Sequence, residues 1–329
     1  MNADTSHKKS ITNIKSHTVD ISFSIVICTY NGEKTLGRVL DSILNLEQSD
    51  KLLQEVIVVD NASTDSTKSI ILKYAQKNNK IKYQYEGVPG LSNARRHAVC
   101  ASAPWVIYVD DDNLLDSMWL IEAKKTVENN PKAGVINGSV IAVPSEPLTL
   151  DEEIRLKAVY HHLACTHLYD LTDNTPTNRE PMGAGLCIIT SALKTVADNG
   201  WLSLSGRTGS NLASGEDTEL CNKVLQQGYQ YICNYNMKIK HLIPKDRLSK
   251  EYITKLLTGL TQSRYILISN YPHYIFARTA RLIKHIFVYI KTTIYKTDDP
   301  ILFEKNRQIK IISKKFIKCA LNDCLIRKQ

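Results

Sequence analysis

Between residues 24 and 110, short apolar runs alternate with amphipathic stretches. Ser24-Ile25-Val26-Ile27-Cys28-Thr29, Glu55-Val56-Ile57-Val58-Val59-Asp60 and Trp105-Val106-Ile107-Tyr108-Val109-Asp110 are β-branched, apolar and short. That pattern predicts strands covered on both faces. Lys82 to Tyr85 is a weaker fourth. Between them, Leu36, Val39, Leu40, Ile43 and Leu44 recur at helical spacing, as do Ile70, Ile71, Tyr74 and Ala75. Leu91 to Ala101 also reads as a helix. Strands alternating with helices at this spacing predict right-handed βαβ units and a parallel sheet.

Further along, the pattern predicts a helix over 118–127, a strand over 134–143, a helix over 151–170, a loop over 172–181 and a strand over 186–190. Gly206 to Gly215 is a loop of small residues, and Glu216-Asp217 opens a helix carrying Leu220, Val224 and Leu225. Lys238 to Lys240 is strand-like. After Lys250 the chain is helical and basic. The expected fold class is α/β: a Rossmann-like, mainly parallel sheet flanked by helices, with a helical C-terminal region. The expected division is a flexible leader over 1–21, a main domain over 22–245 and a basic helical region over 246–329.

Composition narrows the class. The 329 residues are 43% hydrophobic and 23% charged, values of an ordinary globular chain rather than a disordered one. No apolar run approaches the ~20 residues of a membrane-spanning helix. The start of the chain, with Lys8, Lys9 and Lys15, has no apolar stretch suited to a signal peptide, so a cytoplasmic location is expected. Eight scattered cysteines form no Cys-x-x-Cys pair, which predicts buried free thiols rather than disulfides or a zinc site.

The net charge of +9 is unevenly spread. Residues 246–329 hold 17 Lys and Arg against 6 Asp and Glu, a net +11, which leaves the remainder at −2. A basic C-terminal third predicts an anionic partner surface or a solvated face. Within it, Ile275, Phe276, Ala280, Ile283, Ile286, Phe287, Ile290 and Ile294 mark one helix face, and Arg278, Arg281, Lys284 and Lys291 fall largely off it. Both a membrane-interfacial helix and a helix packed on its own domain have this pattern.

The candidate chemistry lies where strands end. In parallel sheets, ligands bind beyond the carboxyl ends of the strands, and here those ends are Thr29, Asp60 and the run Asp110-Asp111-Asp112. Adjacent carboxylates repel in a confined site, and a hard divalent cation relieves that cost. Asp60 can accept hydrogen bonds from a nucleoside or cap a helix. Arg95 and Arg96 offer planar anion recognition. Glu216 and Asp217 stand at a helix N-terminus, where acids also serve the helix dipole. His241 ends a strand-like run.

Taken in order, Ser24 to Asn31, Val58 to Asp65, Gly90 to Ala98, Tyr108 to Asp112, Gly183-Ala184-Gly185, Gly215 to Leu220 and His241 resemble the family 2 glycosyltransferases of the GT-A fold. The resemblance covers roughly 22–245. It implies an inverting, hexosyltransferase-type enzyme using a nucleotide-sugar donor, with a UDP-sugar expected, and Mn2+ or Mg2+. Thr29, Tyr30, Asn31, Asp60 and Asn61 would line the nucleotide pocket, together with Arg95, Asp110 and Asp111. Asp110 and Asp112 match the Asp-x-Asp pair, with Asp112 the direct metal ligand and His241 completing the metal or diphosphate site. Asp217 matches the catalytic base, with Glu216 beside it. Arg247 would reach the diphosphate; Arg96 stands where relatives often have Asn.

The resemblance further implies a glycan or lipid-linked acceptor, a role in polysaccharide biosynthesis, and peripheral contact with the inner face of the cell membrane through the basic C-terminal region. Rival readings fare worse. A dinucleotide-binding oxidoreductase needs Gly-x-Gly-x-x-Gly after the first strand, where Tyr30-Asn31-Gly32-Glu33-Lys34-Thr35 stands. A nucleic-acid-binding protein would explain the basic tail but neither acidic cluster, so no nucleic-acid partner is expected. A sugar nucleotidyltransferase would carry a Gly-rich triphosphate loop.

Overall fold

The apolar runs become the centre of a sheet. The computed structural model describes residues 21–168, 182–208, 212, 214–269, 275–294 and 297–326. The leader and the loop expected over 172–181 therefore lie largely outside the described residues. The first half runs β1 (Phe23–Thr29), α1 (Leu36–Leu44), α2 (Ser49–Leu52), β2 (Leu53–Asp60), α3 (Thr67–Lys77), β3 (Ile81–Tyr85), α4 (Leu91–Arg96) and β4 (Trp105–Asp110). It continues with β5 (Asn113–Leu115), α5 (Trp119–Asn129), β6 (Ala133–Pro144), α6 (Leu150–Val159), β7 (His167–Leu168), β8 (Leu186–Ile189) and α7 (Thr190–Asp198). The last part is α8 (Glu216–Leu225), β9 (Gln230–Ile243), α9 (Lys250–Ser269), α10 (Ile275–Ile294) and α11 (Pro300–Ile326).

Among the described residues the strands form one sheet in the order β3-β2-β1-β4-β8-β6-β9-β5, with β7 on β6. The quartet β3-β2-β1-β4 is parallel, as the alternation predicts. The other half is mixed: β8 runs antiparallel to β4 and β6, and β5 runs antiparallel to β9. Both faces of β1, β2 and β4 are covered, so Ile25, Ile27, Val56 and Val58 join one core and Val26, Val59, Val106 and Tyr108 the other, while the edge strand β3 is mostly exposed. Side chains of alternate strand residues point to opposite faces.

Four expectations need correction. The helix expected over 151–170 ends at Val159, passes through a 3-10 turn over Tyr160–Leu163 and stops at Ala164 with φ 57°. Leu156, Val159, Leu163 and Cys165 share one core, so burial of Leu163 and Cys165 imitates a helical stripe without needing one. The helix expected over 91–101 is α4 followed by a 3-10 turn over His97–Cys100. The strand-like run before His241 is the end of a 14-residue strand, which pairs with β6 through two register shifts. Not every thiol is buried either, since Cys100 is exposed.

The C-terminal helices attach to this body through α9. Ile253, Leu256 and Leu257 pack with Val140, Ala142 and Ile243, and Tyr265 meets Phe316 of α11 edge-on at 5.4 Å between ring centres.

One buried carboxylate ties the parallel strands together at their start. Glu55 accepts from Ser24 Oγ at 2.9 Å, from Ser102 N and Oγ at 2.7 Å each, and from Lys82 Nζ at 2.5 Å. Burial raises its pKa, but Lys82, Ser102 and Ser24 outweigh that and pull it down to about 2. A carboxyl depressed in the folded state stabilises fully above its unfolded value, about 4.3, and loses that contribution as pH falls toward 2. Glu55→Gln is expected to cost about 1–3 kcal/mol at pH 7. Urea unfolding at pH 7 and pH 3 should show the variant's deficit shrinking at the lower pH.

Candidate active site

Three strand ends meet at one edge. The parallel register sets Thr29 beside Asp60 and Cys28 beside Asp110, so the loops after β1, β2 and β4 are adjacent. Thr29 Oγ1 donates to Asp111 Oδ2 at 2.5 Å. A Cβ on Gly32 would collide with that hydroxyl and carboxylate, so the first loop closes over Asp111 only because residue 32 is glycine. Asn31, at φ 55°, ties the first two loops together: its backbone N–H donates to Ser63 Oγ at 3.0 Å and its Oδ1 accepts from Thr64 N at 2.8 Å. Tyr30 is exposed at the rim.

Asp60 is buried, accepting from Ser63 N at 2.9 Å and Tyr83 OH at 3.2 Å. Asn61 spends its amide on the next loop, donating to Glu86 O and Val88 O and accepting from Gly90 N at 2.8 Å. Tyr30, Asp60 and Asn61 thus stand at the expected edge, with Asn61 holding the loop that leads into α4.

Arg95 joins this edge to α8. Buried on α4, it donates from Nη1 to Glu216 Oε1 at 2.9 Å, while Nη2 lies 3.7 Å from Asp110 Oδ1. Burial opposes its charge, but Glu216, Asp110 and Asp217 outweigh it. Gly183 sits against the same guanidinium: a Cβ there would come within 2.6 Å of Arg95 Nη2 and 3.1 Å of Asp217 Oδ2. The acids at 110 and 216–217 therefore flank one guanidinium. Arg96 is exposed.

The three acids that open α8 divide their work. Glu219 accepts from Ser203 N, Ser203 Oγ and Leu204 N, which ties down the preceding loop. Glu216 pairs with Arg95, and its Oε2 is buried with no hydrogen-bond partner. Burial raises the Glu216 pKa, Arg95 opposes this and Asp217 adds to it, with the balance upward. Asp217 Oδ1 accepts from Thr218 N at 2.8 Å, and Oδ2 lies toward Gly183.

The register of β5 against β9 sets Asn113 opposite His241 and brings the imidazole to Asp112. Asp112 Oδ1 accepts from Asn113 Nδ2 at 2.9 Å, and Oδ2 accepts from Arg247 Nη2 at 2.8 Å. His241 Nε2 is 3.4 Å from that same Oδ2 and 3.2 Å from Arg247 Nη1, and Nδ1 is 3.5 Å from Cys165 Sγ. Burial favours a protonated Asp112, yet His241 and Arg247 hold it well below the usual carboxylate range. Asp111 goes the other way: burial and the neighbouring Asp112 push it up to about 7 against the Thr29 hydrogen bond. For His241, burial lowers the pKa while Asp112 and Cys165 raise it more. In the neutral tautomer with its proton on Nδ1, the ring would present an Nε2 lone pair to that guanidinium.

Asp112 Oδ2 and, in that tautomer, His241 Nε2 are then two lone-pair donors beside one guanidinium. Two ligands about 2.1 Å from one small divalent ion and at right angles would stand about 3 Å apart. The pair fits such an ion once Arg247 withdraws. Among the described residues no group of three His, Cys, Asp or Glu is placed to hold a metal ion.

Sequence reasoning missed Arg207. It lies in the small-residue loop, and its charge acts on both Asp112 and Glu216. A lone cation among Gly and Thr facing two acidic clusters was the available signal. Asn113, which orients Asp112, was missed as well.

Residues 24–174 match the glycosyl transferase family 2 description. Those residues are just under half of the chain and carry the first four strands of the sheet. The chain's relatives include the poly(ribitol-phosphate) β-N-acetylglucosaminyltransferase TarS of Staphylococcus aureus, 31% identical over 112 residues, 33% of this chain and 19% of TarS. The matched stretch is thus about a fifth of that relative's length. Over 88% of this chain and 91% of the other, it is 22% identical to the glucosyl-dolichyl phosphate glucuronosyltransferase of Haloferax volcanii. In fold it is similar to the mannosyltransferase PcManGT of Pyrobaculum calidifontis, solved with GDP-Man and Mn2+. The TM-score is 0.57 at 16% identity, covering 93% of this chain and 88% of that one. The fold is GT-A.

The central ion pair has a direct test. Arg95→Met would strand Glu216 as a buried, unpaired charge, at an expected cost of about 3–5 kcal/mol. Adding Glu216→Gln should recover most of that loss, measured by urea unfolding of both variants at pH 7.5.

Proposed function

We propose that the protein is an inverting glycosyltransferase that moves a sugar from a nucleoside-diphosphate sugar, a UDP-sugar, to a hydroxyl of a glycan or lipid-linked acceptor. The observation that carries this reading is Arg95, which holds Asp110 and Glu216 on one guanidinium and so sets the Asp-x-Asp edge beside Asp217. Donor and acceptor then share one cleft. The family match and a GT-A neighbour solved with a nucleotide sugar support the donor class.

Asp217 acts as the base. Its carboxylate takes the proton of the acceptor hydroxyl as that oxygen attacks the anomeric carbon. The bond from that carbon to the diphosphate oxygen breaks on the opposite face, which inverts the centre. Glu216 does not share this task, because Arg95 occupies one of its oxygens and the whole group is buried; it positions α8. Arg247 and Arg207 offer the diphosphate two cations, and a guanidinium suits phosphate oxygens. Asp60 takes the nucleoside, Thr29 and Asn31 shape its loop, and Thr29 holds Asp111. Asp112 and His241 would hold Mn2+ or Mg2+, which when bound supplies positive charge to the leaving diphosphate. The acceptor is met at the cytoplasmic face of the membrane, through the basic C-terminal region, in polysaccharide synthesis.

Asp217→Asn should lower kcat about 10²-fold or more with the donor KM nearly unchanged; near-native turnover would remove Asp217 as the base. A thermal-shift panel of UDP- and GDP-sugars, each with and without Mn2+, reads the donor directly. Stabilisation by UDP-sugars is expected, and a response to GDP-sugars alone would revise the nucleotide. By calorimetry, Asp112→Asn and His241→Ala should each weaken Mn2+ binding about tenfold or more. Arg247→Ala should tighten it in the free protein, because the guanidinium no longer competes for the same two atoms.

A further inference from the structure

Helix α10 has two unlike sides. One packs on α11: His285 Nδ1 lies 3.2 Å from Ser313 Oγ, its ring stacks on Phe316 at 4.3 Å, and Lys310 sits over the Tyr289 ring at 5.6 Å. Leu282 joins the same small core. At 100° per residue, Leu282, His285 and Tyr289 fall together, and Ile283, Phe287, Ile290 and Ile294 fall opposite. Those four are exposed by 63%, 67%, 50% and 75%, with Ile286 at their edge 41% exposed. The side chains of Ile275, Phe276, Arg278 and Ala280 lie outside the described residues. So the described part of the stripe faces solvent rather than its own domain.

Charge says what covers it. Residues 275–294 contain Arg278, Arg281, Lys284 and Lys291 and no Asp or Glu. Lys284 and Lys291 are exposed along one margin of the stripe, with Arg281 exposed further round. A second copy of the chain meeting this face would set cations against cations. A surface of anionic lipid supplies both the missing negative charge and an apolar layer at the depth of the stripe. No described helix is long and apolar enough to cross a bilayer, so α10 lies in the interface rather than through it.

We infer that the exposed face of α10, centred on Ile283, Phe287, Ile290 and Ile294 and edged by Lys284 and Lys291, seats the protein on bilayers carrying anionic lipid. The surface stands on its own geometry; its use, to reach a lipid-linked acceptor, rests on the transfer reading above. The seat is coupled to the site through α9, whose Ser263 Oγ accepts from Ser214 N at 3.1 Å just before Glu216.

The test is flotation of the full-length protein with phosphatidylcholine vesicles, alone or with 30–40% phosphatidylglycerol (roughly the anionic load that gives a strong surface potential). Wild type is expected to float with the anionic vesicles only. Phe287→Glu with Ile290→Glu should abolish flotation, and both positions are exposed, so thermal unfolding should be unchanged. Lys284→Gln and Lys291→Gln should each weaken binding about fivefold, an effect that salt mimics in the wild type. Failure of the wild type to float with anionic vesicles overturns the proposal. So does a wild-type dimer by sedimentation velocity that Phe287→Glu splits without any vesicle binding, which would assign the face to a second copy. Flotation needs no turnover, so its failure leaves the transfer chemistry standing. Conversely, flotation with a catalytically inert protein keeps the surface and removes the chemistry.

Discussion

A buried guanidinium must be paired, and the site is organised around that requirement at Arg95. Its partners come from segments far apart in the chain, Asp110 at the end of β4 and Glu216 at the start of α8, 121 residues beyond it. Removing water from a charge costs several kcal/mol unless opposite charges and hydrogen bonds replace it. That cost makes the convergence of α4, β4 and α8 a condition of burying Arg95 at all. The same need fixes residue 183 as glycine, because a side chain there would occupy the space between Arg95 and Asp217.

A second cationic fork holds the other half. Arg247 binds Asp112 and faces His241, and it leaves Asp111 as the acid without an arginine. Adjacent carboxylates in the run from 110 to 112 therefore differ sharply: Asp112 stays ionised while Asp111 is driven toward neutrality and accepts from Thr29. Three like charges in sequence become tolerable because each meets a different environment: Arg95 at Asp110, Thr29 at Asp111, Arg247 at Asp112. A diphosphate entering between the forks would meet cations already present, with Arg207 adding a third whose field reaches both clusters.

What the sequence makes legible follows from locality. Three of the four parallel strands could be read because each is a continuous apolar run buried on both faces; β3, mostly exposed at the edge, gave the weaker signal its sequence carries. The acids at their ends could be read because sheet topology fixes where such ends point. The short β8 was legible as a strand over 186–190, though not its antiparallel pairing; the long β9 carries no comparable signal, since it is at most partly buried over Gln230 to Asn236. The helix over-read past Val159 shows the converse error: burial of Leu163 and Cys165 arises from a turn folding back onto the same core, which periodicity cannot distinguish from another helical turn. In the site, Asp110 to Asp112, Arg95, Asp217 and His241 stood out as residues, but their pairings did not. That Asp112 faces His241 and Arg247 depends on the register of β5 against β9, and register between strands over a hundred residues apart is written in packing rather than in any local motif.

The C-terminal helices bear on the site through contact rather than through composition. A basic, amphipathic segment could have been a tail with no mechanical link to the sheet. Instead α9 packs Ile253, Leu256 and Leu257 into the core that contains Ile243, two residues past His241, and touches the loop before Glu216 through Ser263. Both cationic forks therefore lie one layer from α9: Arg247 is in the turn that leads into that helix, and the partner of Arg95 follows the loop it supports. Close-packed interiors transmit displacement because they have little free volume to absorb it. The outer helices are thus joined by packed side chains to the segments that flank Asp112 and Asp217, with α9 as the element common to both.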